Sequence, residues 1–237
     1  MWSYYGAKTN IIKYYPAPKY DKIIEPFCGT ARYALRYFDR DVLIVDKYDV
    51  IIKIWKWLQL CSPDDILKLP KILKQGQSLD DFTFDCEEAK MLMGFLISKG
   101  VESPRKKITE WVRTDRPNFI NFSLHRIAKD LFKIKHWKIE LGSYENIPNQ
   151  KATWFIDPPY QFGGHSYPCS NKVIDFVTLA EWSQSRKGQV IVCEGTKATW
   201  MDFKPMVTQK GRSGIQREAI WSNEKTNYDN IQQKLAL

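Results

Sequence analysis

Residues 22–46 read "KIIEPFCGTARYALRYFDRDVLIVD", and the order of elements within this stretch decides the fold. An apolar run, 22–27, closes on a proline and a glycine turn; an amphipathic segment, 31–38, follows; a second apolar run, 41–46, stops at Asp46. The outer runs have the β-branched character of buried strands, and the middle segment has the period of a helix. Strand, helix and strand over so short a span imply a parallel pair with the helix on its face. Ligands of such sheets bind outside the carboxyl ends of the strands, which places Gly29 and Asp46 at one crevice.

The alternation continues outward with a helix over 49–60 and then stops. Residues 62–135 hold "SPDDILKLPKILKQGQ", "CEEAKMLMGFLISKG" and "SPRKKITEWVRTDRPN", which read as helices and basic loops without strong strands. Strands return at 136–141 and 152–156, followed by a helix at 175–187 and a strand at 189–194. The stretch "PMVTQKGRSGIQREAIWSN" reads as a hairpin about Gly211 to Gly214. The expected organisation is therefore an α/β core, 1–60 and 136–237, carrying a mainly helical insertion at 61–135.

The chain has 237 residues, 43% of them hydrophobic, enough for a sizeable core. Lys and Arg number 36 against 27 Asp and Glu, a formal charge of +9, which suits a polyanionic partner. Nine Trp, twelve Tyr and twelve Phe supply stacking surfaces as well as core. The five cysteines form no C-x-x-C pair and the three histidines no cluster with them, so neither a zinc site nor a disulfide framework is indicated. The opening "MWSYYGAKTN" lacks a signal-peptide core, and no apolar run approaches membrane-spanning length. A reducing cytoplasm is the expected compartment.

Three strand ends carry the candidate chemistry. In "EPFCGT", 25–30, Gly29 lets main chain approach a ligand, and the next helix start offers N–H groups. The phosphate pattern G-x-G-x-x-G is absent, which disfavours a pyrophosphate cofactor such as NAD. Asp46 lies 46 minus 29, or 17, residues further on and suits the two hydroxyls of a ribose; a helix cap or solvated strand end is the competing reading. The third end is "ATWFI" followed by "DPPY", where Asp157 is acceptor-only when ionised and Pro158 and Pro159 fix the backbone without donating hydrogen bonds. A carboxylate beside a rigid carbonyl matches the two hydrogens of an amino group on a planar base. Drawing on both shifts that nitrogen toward tetrahedral geometry and frees its lone pair, while Tyr160 supplies a ring for stacking.

"EPFCGT", "IVDKYD" and "DPPY", in that order, resemble the Dam-like N6-adenine DNA methyltransferases, which use S-adenosylmethionine. "YYGAK", 4–8, is similar to that family's opening W-x-G-G-K element, with Tyr4 in the tryptophan's place and Lys8 matching its lysine. "IELGSYENI" is similar to the family's segment ending in Ser-Tyr. The resemblance covers 2–60 and 136 to about 222; the family's N-x-x-G-x-F-N stretch has no counterpart in the insertion. It implies a Rossmann-like methyltransferase fold and a donor pocket at Tyr4, Lys8, Pro26, Phe27, Cys28, Gly29 and Asp46. It further implies that Asp157 lies between donor and base, with Pro158 and Tyr160 on the base, and that no metal takes part. The target adenine must then be flipped out of the duplex. Arg105, Lys106, Lys107, Arg113 and Arg116 in the insertion, with Arg212 and Arg217 in the hairpin, are candidates for phosphate contacts, a solvated basic face being the alternative. Methylation of an exocyclic amine in RNA, or a catalytically silent nucleic-acid-binding protein on the same scaffold, are the competing functions.

Overall fold

The computed structural model describes residues 1–98, 100–109, 118–211 and 214–224. Its strands are β1 Lys22–Glu25, β2 Asp41–Asp46, β3 Lys138–Leu141, β4 Ala152–Ile156, β5 Gly188–Gly195, β6 Lys204–Gly211 and β7 Gly214–Ser222. They form one seven-stranded sheet in the order β3-β2-β1-β4-β5-β7-β6. The pairs among β1 to β5 are parallel, whereas β7 runs antiparallel between β5 and β6. The protein is thus α/β with a mostly parallel mixed sheet, compatible with a Rossmann-like fold. Connections leave β1 toward β2 and leave β4 toward β5, so the order reverses between β1 and β4. That switch point opens a crevice at the carboxyl ends of the strands.

The helices are α1 Arg32–Arg36, α2 Asp49–Leu60, α3 Pro63–Leu67, α4 Glu87–Leu96, α5 Phe119–Asp130 and α6 Phe176–Gln184. Successive strand residues point to opposite faces, and each face is apolar. Ile23, Ile44 and Phe155 face Trp2, Trp55 and helix α2, while Ile24, Val45 and Trp154 face Leu179 and Ala180 of α6. All five residues of β4 are buried, which is why its sequence shows no polar alternation. The segment 61–135 builds on the first face: Leu92 and Phe95 of α4 and Leu124 of α5 join one apolar cluster with Trp2 and Trp55. Ser62 and Asp65 form a capping box that starts α3, with Pro63 in the first turn. Among the described residues no helix is long and apolar enough to cross a membrane.

Two expected boundaries shift for local reasons. The strand expected over 22–27 ends at Glu25, since Pro26 has no N–H for the ladder. The helix expected over 31–38 spans only 32–36: Ala31 sits at φ 44°, in the left-handed region, and Tyr37 leaves helical backbone. The hairpin forms where Gly211 and Gly214 pair.

Candidate active site

A cavity of about 1140 Å³, counted with its open mouth, lies at the carboxyl edge between β1, β2 and β4. Tyr4, Lys8, Pro26, Phe27, Cys28, Gly29, Asp46 and Asp157 all line it, as do Ser143 and Tyr144 after β3. Pro159 is also on its wall, whereas Pro158 and Tyr160 are not among the lining residues. Five carboxyl groups, Glu25, Asp46, Glu145, Asp157 and Asp175, line the cavity against three cations, Lys8, Arg32 and Lys47. In a chain of formal charge +9 this is a local reversal of sign.

The glycine turn is held from both sides. Gly29 has φ 45°, and a Cβ there would sit 3.3 Å from the Tyr4 ring, so only glycine fits without strain. Its N–H donates to Asp46 Oδ2 at 2.9 Å, and Tyr48 N–H donates to Asp46 Oδ1 at 2.9 Å. The two oxygens expected to serve ribose hydroxyls therefore each already accept a main-chain bond, and the Cys28 thiol and the Lys47 N–H draw on the same carboxylate. Burial raises the Asp46 pKa, and those same N–H bonds oppose the rise. One of the N–H groups expected to be free at the next helix is already engaged. Helix α1 has five residues, and Ala34 N–H is taken by Glu25 Oε1 at 2.5 Å.

Glu25, to which the sequence alone assigns no role, is 2% exposed, and burial pushes its carboxyl up to about 8 despite the Ala34 bond. The raised value means that the neutral form stabilises the fold below the ordinary value of 4.5, and that this contribution is lost as pH rises toward about 8. In Glu25→Gln the Ala34 acceptor survives and the slope goes. Urea unfolding at several pH values is expected to show wild type losing up to about 1.4 kcal/mol per pH unit relative to the variant inside that window. Parallel curves would show that Glu25 titrates normally.

Under the DPPY turn the structure places a compact charged group. Lys8 Nζ lies 2.9 Å from Asp157 Oδ1 and 3.9 Å from Glu218 Oε2, and 4.6 Å from the centre of the Tyr160 ring. The Tyr160 hydroxyl donates to Glu218 Oε2 at 2.5 Å. Lys8 is carried there by the turn at Gly6, whose φ is 71° and whose missing Cβ leaves room for the Tyr167 hydroxyl. Burial works to neutralise Lys8, but Asp157 and Glu218 together outweigh it and hold the ammonium charged. Burial raises the Asp157 pKa, and Lys8 opposes that rise. Lys8 stands over one side of the Tyr160 ring expected to stack on the base, and Glu218 fixes its hydroxyl, so the ring also braces the group around Asp157. Glu194, at the end of β5, accepts the Gln161 N–H at 2.6 Å and the Trp200 indole N–H at 3.1 Å, anchoring the chain just past Tyr160.

The loop from β4 to α6 closes over the cavity. Tyr167 rests against Tyr4 and Tyr5 and donates its hydroxyl hydrogen to the Tyr5 carbonyl at 3.2 Å, while Cys169 and Ile174 complete the wall. The insertion reaches the same rim: Tyr5 N–H donates to the Val101 carbonyl, and the Gly100 N–H to Ser3 Oγ. Arg105, Lys106 and Lys107 are exposed in that part of the chain, with Arg105 paired to Glu102 at 2.8 Å and Lys106 near Asp80 at 3.4 Å. Arg217 is exposed on β7; Arg113, Arg116 and Arg212 lie outside the described residues. Glu218 carried a legible signal. In "QREAIW" the signal is an acid set directly before an apolar run, Ala219 and Ile220 being buried beside it.

Compared with protein-family models and with curated proteins, the chain matches none.

Proposed function

We propose that the protein transfers a methyl group from S-adenosylmethionine to the exocyclic N6 amino group of adenine in DNA, with the base flipped into the cavity. The observation that carries this reading is a carboxylate, Asp157, ion-paired at the switch point of the sheet and lining an acidic cavity in a basic chain. The strand order, with its reversal between β1 and β4, supports a methyltransferase version of the Rossmann-like fold. S-adenosylmethionine carries two cationic groups and one carboxylate, which suits a cavity where, with Glu25 protonated near neutral pH, four acids still face three bases. Phe27, Tyr144 and Ile174 offer apolar walls for its adenine, and Asp46 an acceptor for its ribose. The Thr30 hydroxyl on the cavity is buried without a partner, as a polar ligand atom would explain. When bound, the donor supplies a methyl group on positively charged sulfur. Asp157 accepts a hydrogen bond from the target amine and so orients the nitrogen lone pair. The rigid diproline fixes where that carboxylate stands.

Sequencing modified adenines in DNA from cells expressing the protein, beside cells expressing Asp157→Ala, tests the reading. Modification in the first alone supports it; none in either, or modification confined to RNA, overturns it. The exposed basic run of the insertion gives a second check. Neutralising Arg105, Lys106 and Lys107 together is expected to flatten log K against log salt by about 0.9 for each phosphate that no longer meets a cation. Because Glu102 and Asp80 already engage two of these cations, an unchanged slope would assign the run to intramolecular pairing.

A further inference from the structure

Glu218 belongs to none of the motifs above, yet its carboxylate touches two members of the group beneath Asp157. It is 8% exposed and stands on β7, the strand that runs against both its neighbours, β5 and β6. It accepts the Tyr160 hydroxyl at 2.5 Å and lies 3.9 Å from the Lys8 ammonium, which is itself 2.9 Å from Asp157. Two carboxylates thus share one ammonium, with Lys8 and Glu218 buried and Asp157 facing the cavity. Charge repulsion between them is relieved by Lys8 only in part.

We propose that Glu218 is a positioning residue for methyl transfer: by drawing on the Lys8 ammonium and fixing Tyr160, it leaves the Asp157 carboxylate able to accept the target amine's hydrogen. This deepens the function proposed above and rests on it. Were Lys8 paired with Asp157 alone, the carboxylate would be neutralised one-to-one and would be a poor acceptor. With Glu218 present the group keeps one net negative charge beside the nitrogen, which turns positive as its bond to the methyl carbon forms and the carbon–sulfur bond breaks, and which then gives up one proton to solvent. Glu218 also braces the Tyr160 ring, whose position bears on Lys8 at 4.6 Å.

Other titratable groups face Asp157, and they bound the expected effect. Glu25 from the end of β1 and Glu194 from β5 add negative charge where they are ionised. Tyr15, Tyr160, Tyr167 and Cys193 keep their protons, burial pushing each up. Lys8 and Glu218 are therefore the close charged partners whose removal changes Asp157 most.

The test is carbon-13 NMR titration of protein labelled at the aspartate carboxyl, with Asp157→Asn identifying the Asp157 signal. Methyl transfer from tritiated S-adenosylmethionine to unmethylated genomic DNA is measured in parallel. In Glu218→Gln the amide oxygen can still accept the Tyr160 hydroxyl, and the Asp157 signal is expected to titrate about one pH unit lower than in wild type. Turnover is expected to fall on the order of tenfold with KM for DNA little changed, and the acid limb of its pH profile to move the same way. Glu218→Asp, which keeps the charge, is expected to recover part of both, and it stands in if the Gln variant fails to fold. A merely structural Glu218 would lower thermal stability and leave the Asp157 titration where it was. That result overturns the inference even if wild type transfers methyl groups. If wild type transfers none, the function proposed above fails, while the NMR titration still decides whether Glu218 sets the state of Asp157.

Discussion

Asp157→Asn is expected to fold, to bind S-adenosylmethionine, and to lose about 10²- to 10⁴-fold in turnover. The pairing with Lys8 explains why so small a change is so costly. An asparagine will turn its oxygen toward the Lys8 ammonium, which in the native protein lies 2.9 Å from Asp157 Oδ1. Its NH₂ group then points into the cavity, where, on the proposed function, the target amine also presents hydrogens. An acceptor has become a donor facing donors, and the nitrogen lone pair is no longer oriented toward the methyl group. The damage is to the transition state, so the loss belongs in turnover more than in DNA affinity. Single-turnover transfer together with 2-aminopurine fluorescence at the target position separates the two. Full turnover in this variant would remove the DPPY turn from catalysis. Tyr160→Phe is informative beside it, since the ring stays and only the hydrogen bond to Glu218 goes.

Lys8→Met is expected to be the most damaging single change to stability, by roughly 3–5 kcal/mol near neutral pH. It removes the cation between Asp157 and Glu218, whose side chains are 21% and 10% exposed, and leaves two buried carboxylates facing each other. One of them must then hold a proton in the folded state, at a pKa above its unfolded value. The sign follows from that rise: the variant is least impaired in acid, below the unfolded carboxylate range. Its deficit grows as pH rises through the raised folded value. Urea unfolding of wild type and variant at pH 5 and pH 8 checks both magnitude and sign. Adding Glu218→Gln to Lys8→Met is expected to restore part of the loss, because it removes one of the stranded charges. A deficit that is equal at both pH values would show that the lysine acts only through its packing.

What the sequence makes legible is what a parallel sheet makes local. Gly29, Asp46 and Asp157 each follow a strand, and all parallel strands end at the same edge, so each strand taken alone is enough to bring them to one cavity. Hidden from the sequence are the meetings of side chains far apart in the chain. Tyr160 and Glu218 meet across 58 positions, and Tyr167 reaches Tyr5 across 162. No periodicity signals such pairs. Asp46 is legible as a ligand acceptor; its bonds to the Gly29 and Tyr48 N–H groups tie two turns together without capping α2, which a strand end cannot reveal without the turns it holds. The α1 boundary escapes for a similar reason, because a left-handed alanine at 31 is a tertiary outcome that composition does not announce.

Strand β7 is the last described element of the sheet, and it lies beside β5, not at the edge. Lys8 and Glu218 are 218 minus 8, or 210, positions apart in the sequence. During synthesis the amino-terminal lysine and the DPPY aspartate emerge well before their shared carboxylate partner, and β5 waits with one edge unpaired. The site is therefore assembled late, in the step that slots β7 between β5 and β6, with Lys8 and Glu218 meeting over a long stretch of chain, a long-range contact of the kind that forms slowly. A chain that stops short of β7 cannot build this arrangement of charges, because the Glu218 carboxylate is then missing from beside Lys8.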